Sequence, residues 1–268
     1  MNPAEVTCQG LAAVRDKGPM IHHITNTVVM NFTANVTLCL GASPVMAPCI
    51  DESPEMVSFA GALLLNIGTL DPQLVESMLA AGRVANKLGI PIVFDPVGAG
   101  ATGLRTVSAN MINSELDIAI IRGNAGEVLA LAGADGKVRG VDSLDSVNDR
   151  VDLISSFAEK SGSVIAVTGE TDLVTDGSRS ANIGNGHPIM GRVTGTGCSS
   201  STSVACFAAA IEDPFRAALG GLVSHAIAGE IAAESCEGPG SFVPRFLDAL
   251  SNLDRETIVS RTRAGISE

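Results

Sequence analysis

The sequence predicts an α/β fold in which helices cover both faces of a mostly parallel central sheet. Three observations carry that expectation. Short β-rich apolar runs alternate with longer segments of helical character along most of the chain. The strand-like runs are nearly continuous in their hydrophobicity rather than alternating, as befits strands buried on both faces. Several of them end in glycine, carboxylate or arginine, at the sheet edge where such folds bind ligands.

The strand candidates, in order, are Met20–Ile24, residues 44–46, 63–67, 90–94 and 118–121, and Val164–Thr168. Residues 71–88 read as a helix, because Asp71 suits an N-cap, Pro72 the first helical position and Gly89 the stop. After Thr168 the pattern changes. Residues 173–175 and Ser180–Ile183, joined through Asp176-Gly177, read as an antiparallel hairpin. Helices follow, Pro214–Ser235 among them. Residues 133–148 are the most loop-like stretch and too short for a linker, and there are no repeats. The 268 residues are therefore read as one domain, 1–268.

Composition narrows the function. Hydrophobic residues make up 46% of the chain, ample for a core. No stretch approaches the ~20 uninterrupted apolar residues of a membrane span, and the N-terminus lacks the basic region and apolar core of a signal peptide. Cysteines 8, 39, 49, 198, 206 and 236 show no C-x-x-C spacing. Free thiols in a reducing compartment fit them, so a cytoplasmic protein is expected. With net charge −12, only 17 scattered Lys and Arg, and no Trp or Tyr, the chain is not a nucleic-acid binder. An anionic ligand would need local donors or a metal to overcome that field.

Such donors are concentrated in Val193-Thr194-Gly195-Thr196-Gly197-Cys198-Ser199-Ser200, which leads into the apolar run 202–210. A loop without side-chain bulk opening onto a helix N-terminus makes an anion site from free N–H groups and the helix dipole. Cys198 stands beside it, where a helix N-terminus lowers a thiol pKa. A nucleophilic cysteine would also want a positioned histidine. Of His22, His23, His187 and His225, only His187 is near in sequence, and its spacing supports no dyad. His22 and His23 are adjacent on a strand and so point to opposite faces, which suits structural or pocket-lining roles better than metal ligation. Cys39, Cys49, Cys206 and Cys236 are expected to be inert core thiols.

Further candidates lie at strand ends: Asp95 in Asp95-Pro96-Val97-Gly98, Arg122 and Glu127 in Arg122-Gly123-Asn124-Ala125-Gly126-Glu127, and Thr168 before Gly169. Each has a plain structural alternative. Asp95 precedes proline as a turn former does, Glu127 suits the first turn of a helix, Arg122 a solvated surface, and Thr168 a strand end. Their convergence at successive strand ends favours function. Two carboxylates, an arginine and a glycine-rich anion loop suit phosphoryl transfer, in which Mg²⁺ and fixed donors stabilise phosphate charge.

With those residues in place, the chain resembles the hydroxyethylthiazole kinase family of the ribokinase-like superfamily, nearly end to end. The resemblance rests on His22-His23-Ile24-Thr25-Asn26-Thr27-Val28, Asn35, Gly41-Ala42-Ser43-Pro44-Val45-Met46-Ala47, Asn66-Ile67-Gly68-Thr69-Leu70, Asp95-Pro96-Val97-Gly98-Ala99, the segment Arg122 to Glu127, Val167-Thr168-Gly169 and Gly195-Thr196-Gly197-Cys198. It implies a three-layer α/β/α fold and Mg²⁺- and ATP-dependent phosphorylation of 4-methyl-5-(2-hydroxyethyl)thiazole, a salvage step in thiamine biosynthesis. By the same resemblance, Met46 and Gly195 contact the thiazole, Arg122 and Thr168 contact ATP, and Asp95 and Glu127 lie near Mg²⁺. It further implies a homotrimer with active sites between subunits.

Met46 offers a soft surface to a sulfur-containing ring, and Asn26 is expected to orient that ring by hydrogen bonding. Cys198 occupies the place where many ribokinase-like enzymes carry an aspartate base. A weak base suffices there, because a loose phosphoryl-transfer transition state needs little early deprotonation. Three other readings remain: a kinase of another small alcohol (hydroxymethylpyrimidine or pyridoxal type), a thiazole-binding protein without turnover, and a cysteine hydrolase.

Overall fold

The computed structural model describes residues 1–133 and 147–267, so most of the loop-like stretch 133–148 lies outside the described residues. The chain opens with α1 (Pro3–Lys17), whose first N–H groups are capped by Asn2 and which stops at the left-handed Gly18. Next come β1 (Met20–Ile24), α2 (Met30–Leu40), β2 (Ser43–Met46), the short α3 (Ser53–Met56) and β3 (Ala62–Asn66). The middle of the chain holds α4 (Pro72–Leu88), β4 (Ile92–Asp95), α5 (Gly103–Glu115), β5 (Ile120–Asn124), α6 (Ala125–Ala132), α7 (Val147–Ser161) and β6 (Val164–Thr168). The hairpin β7 (Asp172–Thr175) and β8 (Ser180–Ile183) follows. The chain closes with α8 (Thr196–Ala208), α9 (Pro214–Ser235), α10 (Pro239–Ser251), α11 (Arg255–Arg261) and β9 (Ala264–Ser267).

The nine described strands form one sheet in the order β2-β1-β3-β4-β5-β6-β7-β8-β9. From β2 to β6 neighbouring strands are parallel, and from β6 to β9 they are antiparallel. The alternation of side chains splits the core into two layers. Leu63, Leu65, Ile92, Phe94, Ile121 and Ile165 pack with α4, α5, α6 and α7. Ala62, Leu64, Val93, Ile120, Val164 and Ala166 face the other way, against α1, α2, α8, α9 and α10. This is the expected three-layer α/β/α arrangement. The chain passes from β1 outward to β2, then returns to β3 on the other side of β1. That reversal opens a crevice at the carboxyl ends of β1 and β3, the topological switch point where open α/β sheets bind ligands.

The expected strands and the hairpin are present, and Asp71 caps α4 through Leu74 N at 2.9 Å. Two differences stand out. The fifth strand extends past residue 121, so Arg122 lies within β5 and not in the loop beyond it. Strand β9 has no counterpart in the sequence reading, because four residues alternating half-buried and exposed carry too little apolar signal.

Helix α8 is buried along nearly its whole length and lies against β3, β4, α2 and α9. Its close crossing with α9 depends on Gly221. A Cβ there would lie 2.7 Å from Val204 Cα and 2.8 Å from Val204 N, which are backbone atoms with no rotamer to yield. Gly221→Ala is therefore expected to destabilise the fold by ~1–3 kcal/mol through overpacking, read as a lower urea midpoint at unchanged slope. An unchanged midpoint would show that the two helices can part freely.

Candidate active site

Strand β4 ends in Asp95, and its carboxylate is fully buried. Oδ2 accepts from Asn66 Nδ2 at 2.9 Å and from Ser201 Oγ at 2.8 Å, so β3 and α8 hold the carboxylate from two sides. The Arg122 guanidinium, from neighbouring β5, lies 3.7 Å away. Burial pushes the Asp95 carboxyl up to about 6, against the opposing pull of Arg122 and of the Ser201 and Asn66 hydrogen bonds. Oδ1 is buried with no hydrogen-bond partner, and so is Arg122 Nε. Leaving such groups unsatisfied is unfavourable, and it suits a site completed by ligands: a cation or its water at the carboxylate and an anion at the guanidinium.

Arg122 also donates to Thr168 Oγ1 at the end of β6. Its guanidinium lies against Gly197, where an added Cβ would stand 3.1 Å from Nη1. Gly197 belongs to the first turn of α8, whose N-cap Gly195 has φ 88° and offers no side chain to the free N–H groups. Glycine is required at 195 for space as well, since a Cβ would meet Val29 Cγ1 at 2.9 Å and Phe32 Cδ1 at 3.1 Å. Beside this turn lies a cleft of about 750 Å³, lined by Arg122, Thr168, Asp172, His187, Met190, Gly197 and His225, among others. The anion loop, Arg122, Thr168 and Asp95 thus converge as the sequence suggests.

Glu127 is half-buried at the start of α6 and does what its plain structural reading required. It forms a capping box with Asn124, Oε2 accepting from Asn124 N at 2.8 Å. Oε1 reaches across to accept from Gly98 N at 2.8 Å and thereby ties the loop after β4 to β5. Met46 ends the outer strand β2, paired with His23 of β1, and is not among the residues lining the cleft. Among the described residues no group of three or more His, Cys, Asp or Glu could enclose a metal. A pair of carboxylates, one with a bare oxygen, suits Mg²⁺, which keeps several waters and takes its remaining ligands from phosphates.

Cys198 departs from expectation. Its thiol is not lowered by the helix N-terminus. Burial and the nearby Asp95 carboxylate push it up to about 11, beyond the opposing pull of Asn66, Asn26 and Arg122. No histidine is bonded to it. His22 Nε2 meets Ala47 O, His23 Nε2 meets Thr37 Oγ1, His187 Nδ1 accepts from Ile189 N, and His225 Nε2 meets Ser199 Oγ. Instead Asn26 Nδ2 donates to Cys198 Sγ at 3.5 Å and to Asn66 Oδ1 at 2.8 Å. Both hydrogens of Asn26 are thus committed within the protein, and the expected contact with a ring is not supported.

Of the other thiols, Cys206 is buried and pushed up to about 12, Cys39 and Cys236 are half-buried, and Cys49 is exposed in the loop after β2, not in the core. Sequence reasoning missed Ser201, Asp172 and Arg105. Arg105 donates from Nη1 to the carbonyls of Ile67 and Val97 and from Nη2 to that of Gly68, so it clamps the loops after β3 and β4 together. Nothing in the sequence around an arginine in the first turn of a helix signals such a clamp.

A thiol at about 11, against an ordinary 9, holds about a hundredfold less thiolate at pH 8. Iodoacetamide is therefore expected to label Cys198 about a hundredfold more slowly in the folded protein than in urea. The rate should climb until pH passes about 11. Rapid labelling at pH 7 that abolished an esterase activity would point to the cysteine hydrolase.

Comparisons with known proteins identify the family and the fold. Residues 11–256 match the model of the hydroxyethylthiazole kinase family. A hydroxyethylthiazole kinase from Methanocella arvoryzae is 53% identical over 248 residues, covering 92% of this chain and 93% of its own. The solved structure of hydroxyethylthiazole kinase from Pyrococcus horikoshii OT3 superposes with a TM-score of 0.91 at 40% identity, covering 98% of this chain and 100% of that one. A ribokinase-like superfamily protein from Enterococcus faecalis V583 shares the fold at a TM-score of 0.64 and 13% identity, covering 91% of this chain and 89% of its own. The chain belongs to the hydroxyethylthiazole kinase family, with the ribokinase-like α/β/α fold.

Proposed function

We propose that this chain, working as a single domain over residues 1–268, transfers the γ-phosphoryl group of ATP to the hydroxyl of 4-methyl-5-(2-hydroxyethyl)thiazole, a salvage step in thiamine biosynthesis. The observation that carries the reading is the meeting of Arg122, Asp95 and the uncapped first turn of α8 at one sheet edge. The names of its relatives supply the acceptor.

In this reading Arg122, oriented by Thr168, and the N–H groups of Gly197 and Cys198 cradle the transferred phosphoryl group. Asp95, with Oδ1 left without a partner, is the residue that would hold Mg²⁺. Glu127, whose two oxygens already accept backbone N–H groups, would contribute its negative charge near that ion. When bound, Mg²⁺ neutralises phosphate charge as the phosphoryl group moves. Cys198 remains a thiol and positions the acceptor hydroxyl. The oxygen of that hydroxyl bonds to the γ-phosphorus as the bond to the β,γ-bridging oxygen breaks, ADP takes the electron pair, and the hydroxyl proton leaves with solvent.

Met46 and Gly195 form the thiazole contact. Because Met46 lies at the sheet's outer edge, a second subunit is needed to enclose the ring. The apolar side chains of Val28, Leu38 and Ile50 are exposed on segments that flank this edge, which supports a homotrimer with its sites between subunits. No helix among the described residues is long and apolar enough to cross a membrane, and the reading places the enzyme in the cytoplasm.

ADP is expected only when Mg²⁺, ATP and the thiazole alcohol are all present. Asp95→Asn should lower kcat ~10²–10³-fold, as for loss of a main transition-state stabiliser, and Cys198→Ser by less than ~10-fold. Faster turnover of a hydroxymethylpyrimidine or pyridoxal in the same assay would reassign the acceptor. Calorimetric binding of the thiazole without ADP release would identify a binding protein. Light scattering should give three times the 27.3 kDa chain mass, and a monomer that is fully active would refute the shared site.

A further inference from the structure

Two buried asparagines stand between the groups assigned to the reaction. Asn26 follows β1 and Asn66 ends β3, so they face each other across the switch-point crevice, 4% and 1% exposed. Asn66 Nδ2 donates to Asp95 Oδ2, Asn26 Nδ2 donates to Asn66 Oδ1, and the second hydrogen of Asn26 goes to Cys198 Sγ. The orientation of an amide side chain has to be argued from its partners, and here two backbone donors settle it. Val29 N donates to Asn26 Oδ1 at 3.2 Å, and Gly68 N donates to Asn66 Oδ1 at 2.9 Å. A backbone N–H can only donate. Each amide oxygen therefore faces the main chain, and each NH₂ faces the site.

We propose that Asn26 and Asn66 are positioning residues, forming a two-amide relay that sets the Cys198 sulfur and the Asp95 carboxylate relative to each other. The proposal rests on the thiazole-kinase reading. The relay carries orientation and not protons, because every hydrogen along it belongs to a carboxamide NH₂ group, which keeps its two hydrogens whether its own oxygen accepts, as that of Asn66 does from Asn26, or not. Cys198 is held as an acceptor on the Asn26 side, so its own hydrogen is directed away from the relay. Asp95 Oδ2 is filled by Asn66 and Ser201, which leaves Oδ1 as the oxygen offered to a cation. Gly68 walls in the relay, since a Cβ there would lie 2.7 Å from Asn26 Nδ2.

The test is a double-mutant cycle. Asn26→Ala is expected to lower kcat about tenfold in the native background, a modest misplacement of reacting groups, with KM for ATP unchanged within about twofold. In a Cys198→Ala background the same substitution should change kcat by less than about twofold, because its target is gone. Equal factors in both backgrounds would overturn the proposal and show a merely structural role. Gly68→Ala, which displaces Asn26 but keeps both amides, serves for the same comparison if Asn26→Ala does not fold.

Asn66 is read without turnover, by calorimetric titration of Mg²⁺ into enzyme holding a non-hydrolysable ATP analogue. Asn66→Ala should weaken Mg²⁺ binding severalfold, and native affinity would overturn its half of the relay. This second measurement decides if Cys198→Ala has no turnover to compare. A native enzyme that forms no ADP with the thiazole alcohol would refute the functional reading itself, a result distinct from either of these.

Discussion

A carboxylate buried at the carboxyl edge of the sheet, with a guanidinium beside it, is the constraint on which the rest of this molecule depends. Removing an ion pair from water costs several kcal/mol per charge unless hydrogen bonds compensate. Much of the surrounding architecture supplies them. Asn66 and Ser201 donate to Asp95, and Thr168 accepts from Arg122. Those donors and acceptors come from β3, α8 and β6, on both sides of β4 and β5 and from the helix packed beneath. The pair is nevertheless left incomplete, with Asp95 Oδ1 and Arg122 Nε unpartnered. Full satisfaction would make a structural salt bridge, whereas the missing partners make a site.

Helix α8 connects that constraint to the anion loop. Its first turn bears Gly197 and Cys198, its second bears Ser201 on Asp95, and its far end crosses α9 at Val204 and Gly221. The run of small hydroxyl residues from Ser199 to Ser203 is therefore internal wiring. Ser199 meets His225, Ser201 meets Asp95, and Ser203 bonds back to Ser199 O. One helix presents the N–H groups of the anion loop and fixes the carboxylate opposite them.

Much of this could be read from the sequence where the signal is local. Buried strands declare themselves by unbroken hydrophobicity. Asp71, Pro72 and Gly89 mark both ends of α4, and Gly195 and Gly197 mark the anion loop. What could not be read depends on partners far apart in the chain. Ser201 looks like any helical serine until β4 is laid against it, 106 residues away in sequence. The raised thiol of Cys198 could not be read, because helix position is a local property, whereas its burial and the carboxylate near it are tertiary. Glu127 shows the converse. Its capping role was legible within four residues, but its second bond, to Gly98, was not.

The clamp made by Arg105 has a consequence of its own. Its three bonds to Ile67, Gly68 and Val97 carbonyls join the loops that directly follow Asn66 and Asp95. Guanidinium, carboxamide and hydroxyl groups keep one protonation state across the range in which carboxyl groups change theirs. Around a carboxyl that titrates near 6, the fixing groups Arg105, Asn66, Asn26 and Ser201 are all of this kind. Protonation of Asp95 thus alters the charge of the site while the donors of these four side chains stay as they are.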